Sequence, residues 1–244
     1  MMSKTEQKDY TLGDHSQLFT VLAENLKSSF LTIARTAELA SSGSDDVDGH
    51  LARVQAASSS ALTMLDNYLL SLQLTQAGQR LALEPVSLAA SLNDIAHQLN
   101  RTAEQRRCDL EVIVAGKYEP VMAHGAGLSA ALLSLGHFFI TAQSQQVHTK
   151  RPVITLAAHR TRAGIVAGLF AEVQGLHSAT LRRSRKLYGR AHSPVAEMTV
   201  SGETGLFIAD AILQNMSSGL RTARYQKLPG LAATFTSSQQ MALV

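Results

Sequence analysis

Residues 19–37 read FTVLAENLKSSFLTIARTA, and this stretch decides how the first part of the chain folds. Apolar residues recur at Phe19, Leu22, Leu26, Phe30, Ile33 and Ala37, with gaps of 3, 4, 4, 3 and 4. That rhythm places them on one stripe of a long amphipathic helix with a heptad-like seam. Asp14 and Gln17 precede it as a capping pair, with Asp14 as the expected N-cap, and the helix is expected to run to about Ala40. Residues 41–48 (SSGSDDVD) are turn chemistry apart from Val47, and Asp48 is the expected N-cap of a second helix. In that helix Leu51, Val54, Ser58, Leu62, Leu65, Leu69 and Leu72 repeat at gaps of 3, 4, 4, 3, 4 and 3.

Two long helices joined by a short loop run antiparallel. Each seam is longer than one hairpin can bury. Exposing a large apolar side chain forgoes about 1.5–3 kcal/mol, so two hairpins forming the four-helix bundle of a homodimer are expected. Packing of the seam on the rest of its own chain is the other arrangement.

Further along, residues 76–83 read as a linker. Ser87 is placed to cap a helix over residues 88–104, with Leu88, Leu92, Ile95, Ala96 and Leu99 apolar. Residues 109–115 (DLEVIVA) alternate as a strand. Residues 128–142 read as a buried helix, and 153–159 and 164–173 as strands joined by a turn at 160–162. Residues 178–193 are polar and basic, 205–216 are helical, and 228–237 close with a strand containing glycine. The expected fold is α+β: a helical hairpin over 14–76, then a sandwich over 83–242 with helices on one face of a mixed sheet.

Composition removes several classes. The single cysteine, Cys108, excludes an internal disulfide framework and a zinc site of paired cysteines. With no Trp and 5% aromatics, base-stacking platforms are poorly supplied. The start of the chain lacks the apolar run of a secretory signal, and residues 128–142 fall short of the ~20 needed to span a bilayer. A soluble cytoplasmic protein without a membrane partner is expected. Residues 1–119 carry 10 Lys/Arg and 15 Asp/Glu, residues 120–199 carry 9 and 2, and residues 200–244 carry 3 and 2. The basic middle implies either an anionic partner or contact with the acidic first part.

The order of elements resembles the transmitter half of a bacterial sensor histidine kinase. Residues 24–33 (ENLKSSFLTI) resemble the family's first-helix motif, His-Glu-Leu-Arg-Thr-Pro-Leu-Thr-x-Ile. Residues 83–88 (LEPVSL) resemble the entry to the ATP-binding module, and residues 128–142 resemble the helix that carries the N box. Residues 206–219 resemble the helix after the last glycine box, ending at Gly219 as C-cap, and residues 230–237 the closing strand. The resemblance implies a sandwich of the histidine kinase ATP-binding type.

The departures set the expected function. Glu24 stands where the resemblance implies the phosphoacceptor histidine, and a carboxylate offers no nitrogen to hold a phosphoryl group. Asn25 replaces the acidic neighbour and Ser29 the proline. Phe138 stands near the implied N-box asparagine, and no Asn occurs between Asn100 and Asn215. The adenine-reading aspartate box matches only residues 172–177, where Glu172 or Gln174 would be imitations, and Glu203 intrudes in the last glycine box. No catalytic residue, cofactor or metal is therefore expected, and the nucleotide cleft is expected to be collapsed.

What remains is a dimeric scaffold or binding regulator in two-component signalling. It would dock a response regulator's receiver domain through Glu24, Lys27, Ser28 and Phe30, with Glu24 as a crude imitation of phosphohistidine. Two alternatives stand beside it. A histidine phosphotransferase of a phosphorelay would need His15 or His50. A nucleic-acid-binding regulator would use Arg182, Arg183, Arg185, Lys186 and Arg190, at the place of the family's lid; a solvated loop is the plainer reading of that segment. The other histidines, His97, His124, His137, His159, His177 and His192, show no metal-ligand spacing.

Overall fold

The computed structural model describes residues 12–42, 46–76, 82–173, 203–216 and 219–238. Two 30-residue helices come first, α1 (Leu12–Ser41) and α2 (Val47–Gln76), and they pack along one another. Asp14 lies within α1, which already includes Leu12, so it is not the cap of this helix. The cap of α2 is Asp46 rather than Asp48: its Oδ1 accepts from the backbone N–H of Gly49, three residues on, at 3.1 Å. Asp48 lies in the first turn, where a carboxylate suits the positive end of the helix.

The seams are only partly covered. Leu26, Ile33, Val54 and Leu65 are half-buried. Phe30, Leu51, Leu62 and Leu69 are exposed. The side chains of Phe19, Leu22 and Leu72 lie outside the described residues.

The remainder is a mixed α+β sandwich. β1 (Glu84–Val86) pairs antiparallel with β3 (Val121–Ala123) in a small sheet. The main sheet has the order β2 (Asp109–Val114), β4 (Val153–Thr161), β5 (Gly164–Phe170), β7 (Leu228–Phe235), β6 (Arg221–Tyr225). β2 runs parallel to β4, and every other neighbour in this sheet is antiparallel. The β4–β5 turn falls at Arg162 and Ala163, with Gly164 at φ 133°, which only glycine adopts cheaply. The residues expected as one closing strand are preceded by β6, joined through Gln226 and Lys227 at φ 46° and 73°. Two positive φ values make the type I′ turn that matches the twist of a hairpin.

Three helices, α3 (Leu88–Gln105), α4 (Gly125–Ser144) and α5 (Glu203–Asn215), share one sheet face. Ser87 caps α3, its Oγ accepting from Ala90 N–H at 3.4 Å. Leu88, Leu92, Ile95 and Leu99 enter the core, as the 3.6-residue period requires. Gly136 makes room for Leu99, since a Cβ there would collide with Leu99 Cδ1. α4 has 20 residues, longer than the apolar run expected from sequence. By length and composition it could cross a membrane, yet 61% of its most apolar window is buried in the fold. α5 ends at Asn215, so Gly219 lies beyond its end and does not cap it. The opposite sheet face carries a smaller cluster of Ala157, Val166, Phe170, Tyr225 and Ala232. α2 also touches α4 and α5.

Candidate functional site

Two places hold the residues that the sequence singles out. The first is the outer face of α1. A shallow groove of about 430 Å³ runs along it, lined by Ala23, Leu26, Lys27, Phe30, Leu31 and Ala34. Phe30 is 60% exposed and Lys27 is exposed beside it. Glu24 and Ser28 are on the same helix, and the placement of their side chains lies outside the described residues. The groove offers apolar contact with one cation at its rim and can bind an apolar ridge carrying negative charge. His50 is buried on α2 and does not present its ring to solvent.

The second place is the contact between α4 and α5, where the resemblance puts the nucleotide cleft. Phe138 is 7% exposed and belongs to the core, with its ring edge-on to Phe139 at 5.4 Å between centroids. No oxygen is available from that position. α5 starts directly over α4: a Cβ on Gly205 would lie 2.9 Å from the Ser134 carbonyl oxygen. At the end of β5, Ala171 is buried in the core of the helix layer, whereas Glu172 is exposed and lines a cavity elsewhere. Both residues lie just past the end of β5, and the exposed Glu172 borders that other cavity. Gln174, Gly175, and the basic residues Arg182, Arg183, Arg185, Lys186 and Arg190 lie outside the described residues.

Several polar groups serve the framework. His124 caps α4, its Nδ1 accepting from Gly127 N–H at 3.0 Å. Asp210, 3% exposed on α5, accepts from Leu220 N–H at 3.0 Å and from Gln214 Nε2 at 2.8 Å. A lone Asp in the apolar run LFIADAIL was the signal for that role. Burial lowers the affinity of His137 for its proton, and burial together with Arg221 does the same at His159. The Cys108 thiol is buried next to β2, and burial followed by the Asp109 charge raises its pKa, so it is a poor nucleophile. Among the described residues no group of His, Cys, Asp and Glu side chains is placed to hold a metal ion.

No protein-family model and no curated protein matches the chain. Solved structures do. Full-length ShkA in complex with AMPPNP superposes with a TM-score of 0.56 at 16% identity, over 91% of this chain and 46% of that one. This chain thus spans about half the length of ShkA. The Acinetobacter baumannii histidine kinase AdeS gives 0.55 at 12% identity, over 87% of this chain and 96% of that one. A bacterial phosphotransferase gives 0.51 at 9% identity, over 96% and 98%. At such identities the likeness is one of fold: the sheet and its helices are arranged as in histidine kinases.

Proposed function

We propose that this chain is a non-catalytic, histidine-kinase-like binding protein of the cytoplasm. Residues 14–76 form the hairpin of a homodimeric four-helix bundle, and residues 83–242 form a sandwich that no longer serves nucleotide. The observation that carries the reading is the apolar face left open on α1 and α2, where Phe30, Leu31, Leu51, Leu62 and Leu69 meet solvent. Single exposed apolar side chains are ordinary, but a stripe of them along two helices marks an interface. A second copy covers the part of the stripe on α2. The groove beside Lys27 and Phe30 remains for a receiver domain.

The chemistry follows from what is missing. Glu24 cannot form the nitrogen–phosphorus bond of a phosphohistidine, so the dimer can sequester, compete for or recruit its partner but cannot phosphorylate it. Core placement of Phe138 supports the absence of a Mg²⁺-nucleotide role. Incubation with labelled ATP should leave no acid-labile phosphate on the protein. A receiver domain retained on immobilised protein should be lost with K27E/F30D. Phosphate on the chain, or equal retention by the variant, overturns the reading.

A second reading is favoured by the end-to-end fold match to a bacterial phosphotransferase. It makes the chain a histidine phosphotransferase that accepts phosphate from a receiver at His15 or His50. Burial of His50 weighs against that residue. Incubation with a phosphorylated receiver decides: transfer to either histidine establishes this reading, and none ends it. A nucleic-acid role for the basic segment would instead appear as binding that falls steeply with salt.

A further inference from the structure

A cavity of about 650 Å³ opens where α4 ends at the margin of the main sheet. Its walls include Glu111 on β2, Gln143 and His148 at and after the end of α4, Thr155 on β4, Glu172 after β5 and Leu228 on β7. This is a different place from the α4–α5 contact. Glu111 stands opposite Thr155 in the β2–β4 register, on the strand face that carries Ile113 and Ala157 away from the helices.

The charged part of the wall is acidic, with Gln146, His148 and Thr155 as further polar groups around it. Glu111 and Glu172 bring two exposed carboxylates, and among the described residues no Lys or Arg lines the cavity. The nearby Arg151 guanidinium is committed elsewhere, 3.2 Å from Asp109. An independent observation points the same way. Gln143 is 1% exposed, and its Nε2 donates to the Glu172 backbone carbonyl at 3.1 Å. That bond fixes which way the amide faces, and it leaves Oε1 with no hydrogen-bond partner among the described residues. A buried carbonyl without a donor is rare and marks where a donor is missing. Val173 and Pro229 add an apolar part to the wall. Among the described residues no group of three or more His, Cys, Asp or Glu side chains forms here as a metal site would require, and a phosphate or carboxylate would be repelled. The match is a cation that carries its own N–H donors and an apolar stem.

We propose that this cavity binds a small organic cation, an ammonium or guanidinium on an apolar stem. Glu111 and Glu172 hold the charge, Gln143 Oε1 accepts one N–H, and the stem lies along Val173 and Pro229. The probes are benzylamine and agmatine, with benzyl alcohol as the neutral counterpart, added to the full chain and followed by amide NMR and calorimetry. At least one amine should shift the Gln143 and Val173 signals saturably, while the alcohol leaves them in place. E111Q/E172Q should weaken binding by about tenfold. Both glutamates are exposed, so this variant should keep its fold, which an unchanged circular dichroism spectrum checks. Absence of saturable shifts with both amines, equal shifts with the alcohol, or unaltered affinity in the double variant overturns the proposal.

Discussion

Gly205 at the start of α5 faces the Ser134 carbonyl of α4 so closely that a Cβ would stand 2.9 Å from the oxygen. Gly205→Ala therefore sets two effects against each other. Helix propensity favours Ala by up to about 1 kcal/mol, while forcing the helices apart costs about 1–3 kcal/mol. The carbonyl is backbone and cannot swing away, so the clash wins. A lower urea midpoint with an unchanged slope is the expected result.

Phe138→Asn would restore the amide that the histidine kinase resemblance implies at this position. In this fold the change replaces a buried ring with a polar group that has no prepared partner. A loss of about 3–5 kcal/mol is expected. Thermal unfolding should show it, and titration with Mg-ATP should show no gain of nucleotide binding.

Acid should weaken the fold from a definite starting point. Burial holds His137 below the ordinary 6.5, and burial with the Arg221 charge does so for His159. As pH falls through about 6.5 the unfolded chain takes up these protons first. Stability contributed by the two neutral rings is thus full above that pH and declines below it. Urea midpoints at pH 8 and pH 5.5 measure the decline, and H137Q should flatten it.

Asp46→Ala removes the side chain that accepts from Gly49 N–H at the head of α2. A cost of about 1 kcal/mol is expected. Asp48→Ala should cost less, since Asp48 lies within the first turn and does not cap. Equal losses for the two would contradict the cap assignment.

Leu62→Glu places a charge on the exposed stripe of α2, where Leu62 is 61% exposed. A monomer should barely notice it. A four-helix dimer should dissociate, and sedimentation at several concentrations distinguishes the two.

Long periodic elements were the legible part of this fold. The heptad-like runs gave α1 and α2, and Leu88, Leu92, Ile95 and Leu99 gave α3 with its Ser87 cap. The mixed sheet and its helix layer followed from the order of elements. Short strands did not announce themselves. β1 and β3 have three residues each, too few for a period. β6 reads RTARY, and its arginines suggest a loop, yet it is an edge strand, where charge discourages unwanted pairing. Its turn, Gln226–Lys227, lacks the glycine or asparagine that usually signals a type I′ hairpin. At the sites, the residue types at positions 24 and 138 could be read directly. The burial of Ala171 next to an exposed Glu172 could not, because it depends on where β5 ends.

The antiparallel pairing of β5 with β7 joins residues far apart in sequence, Ile165 with Phe235 and Phe170 with Gly230. The hairpins β4–β5 and β6–β7 close locally and can form early, whereas β5 meets β7 only after the whole intervening chain has been gathered in. Closure entropy grows with the logarithm of loop length, about 0.6 kcal/mol per doubling. Halving the basic stretch removes only a small part of the chain between these strands and should therefore change the refolding rate by well under twofold.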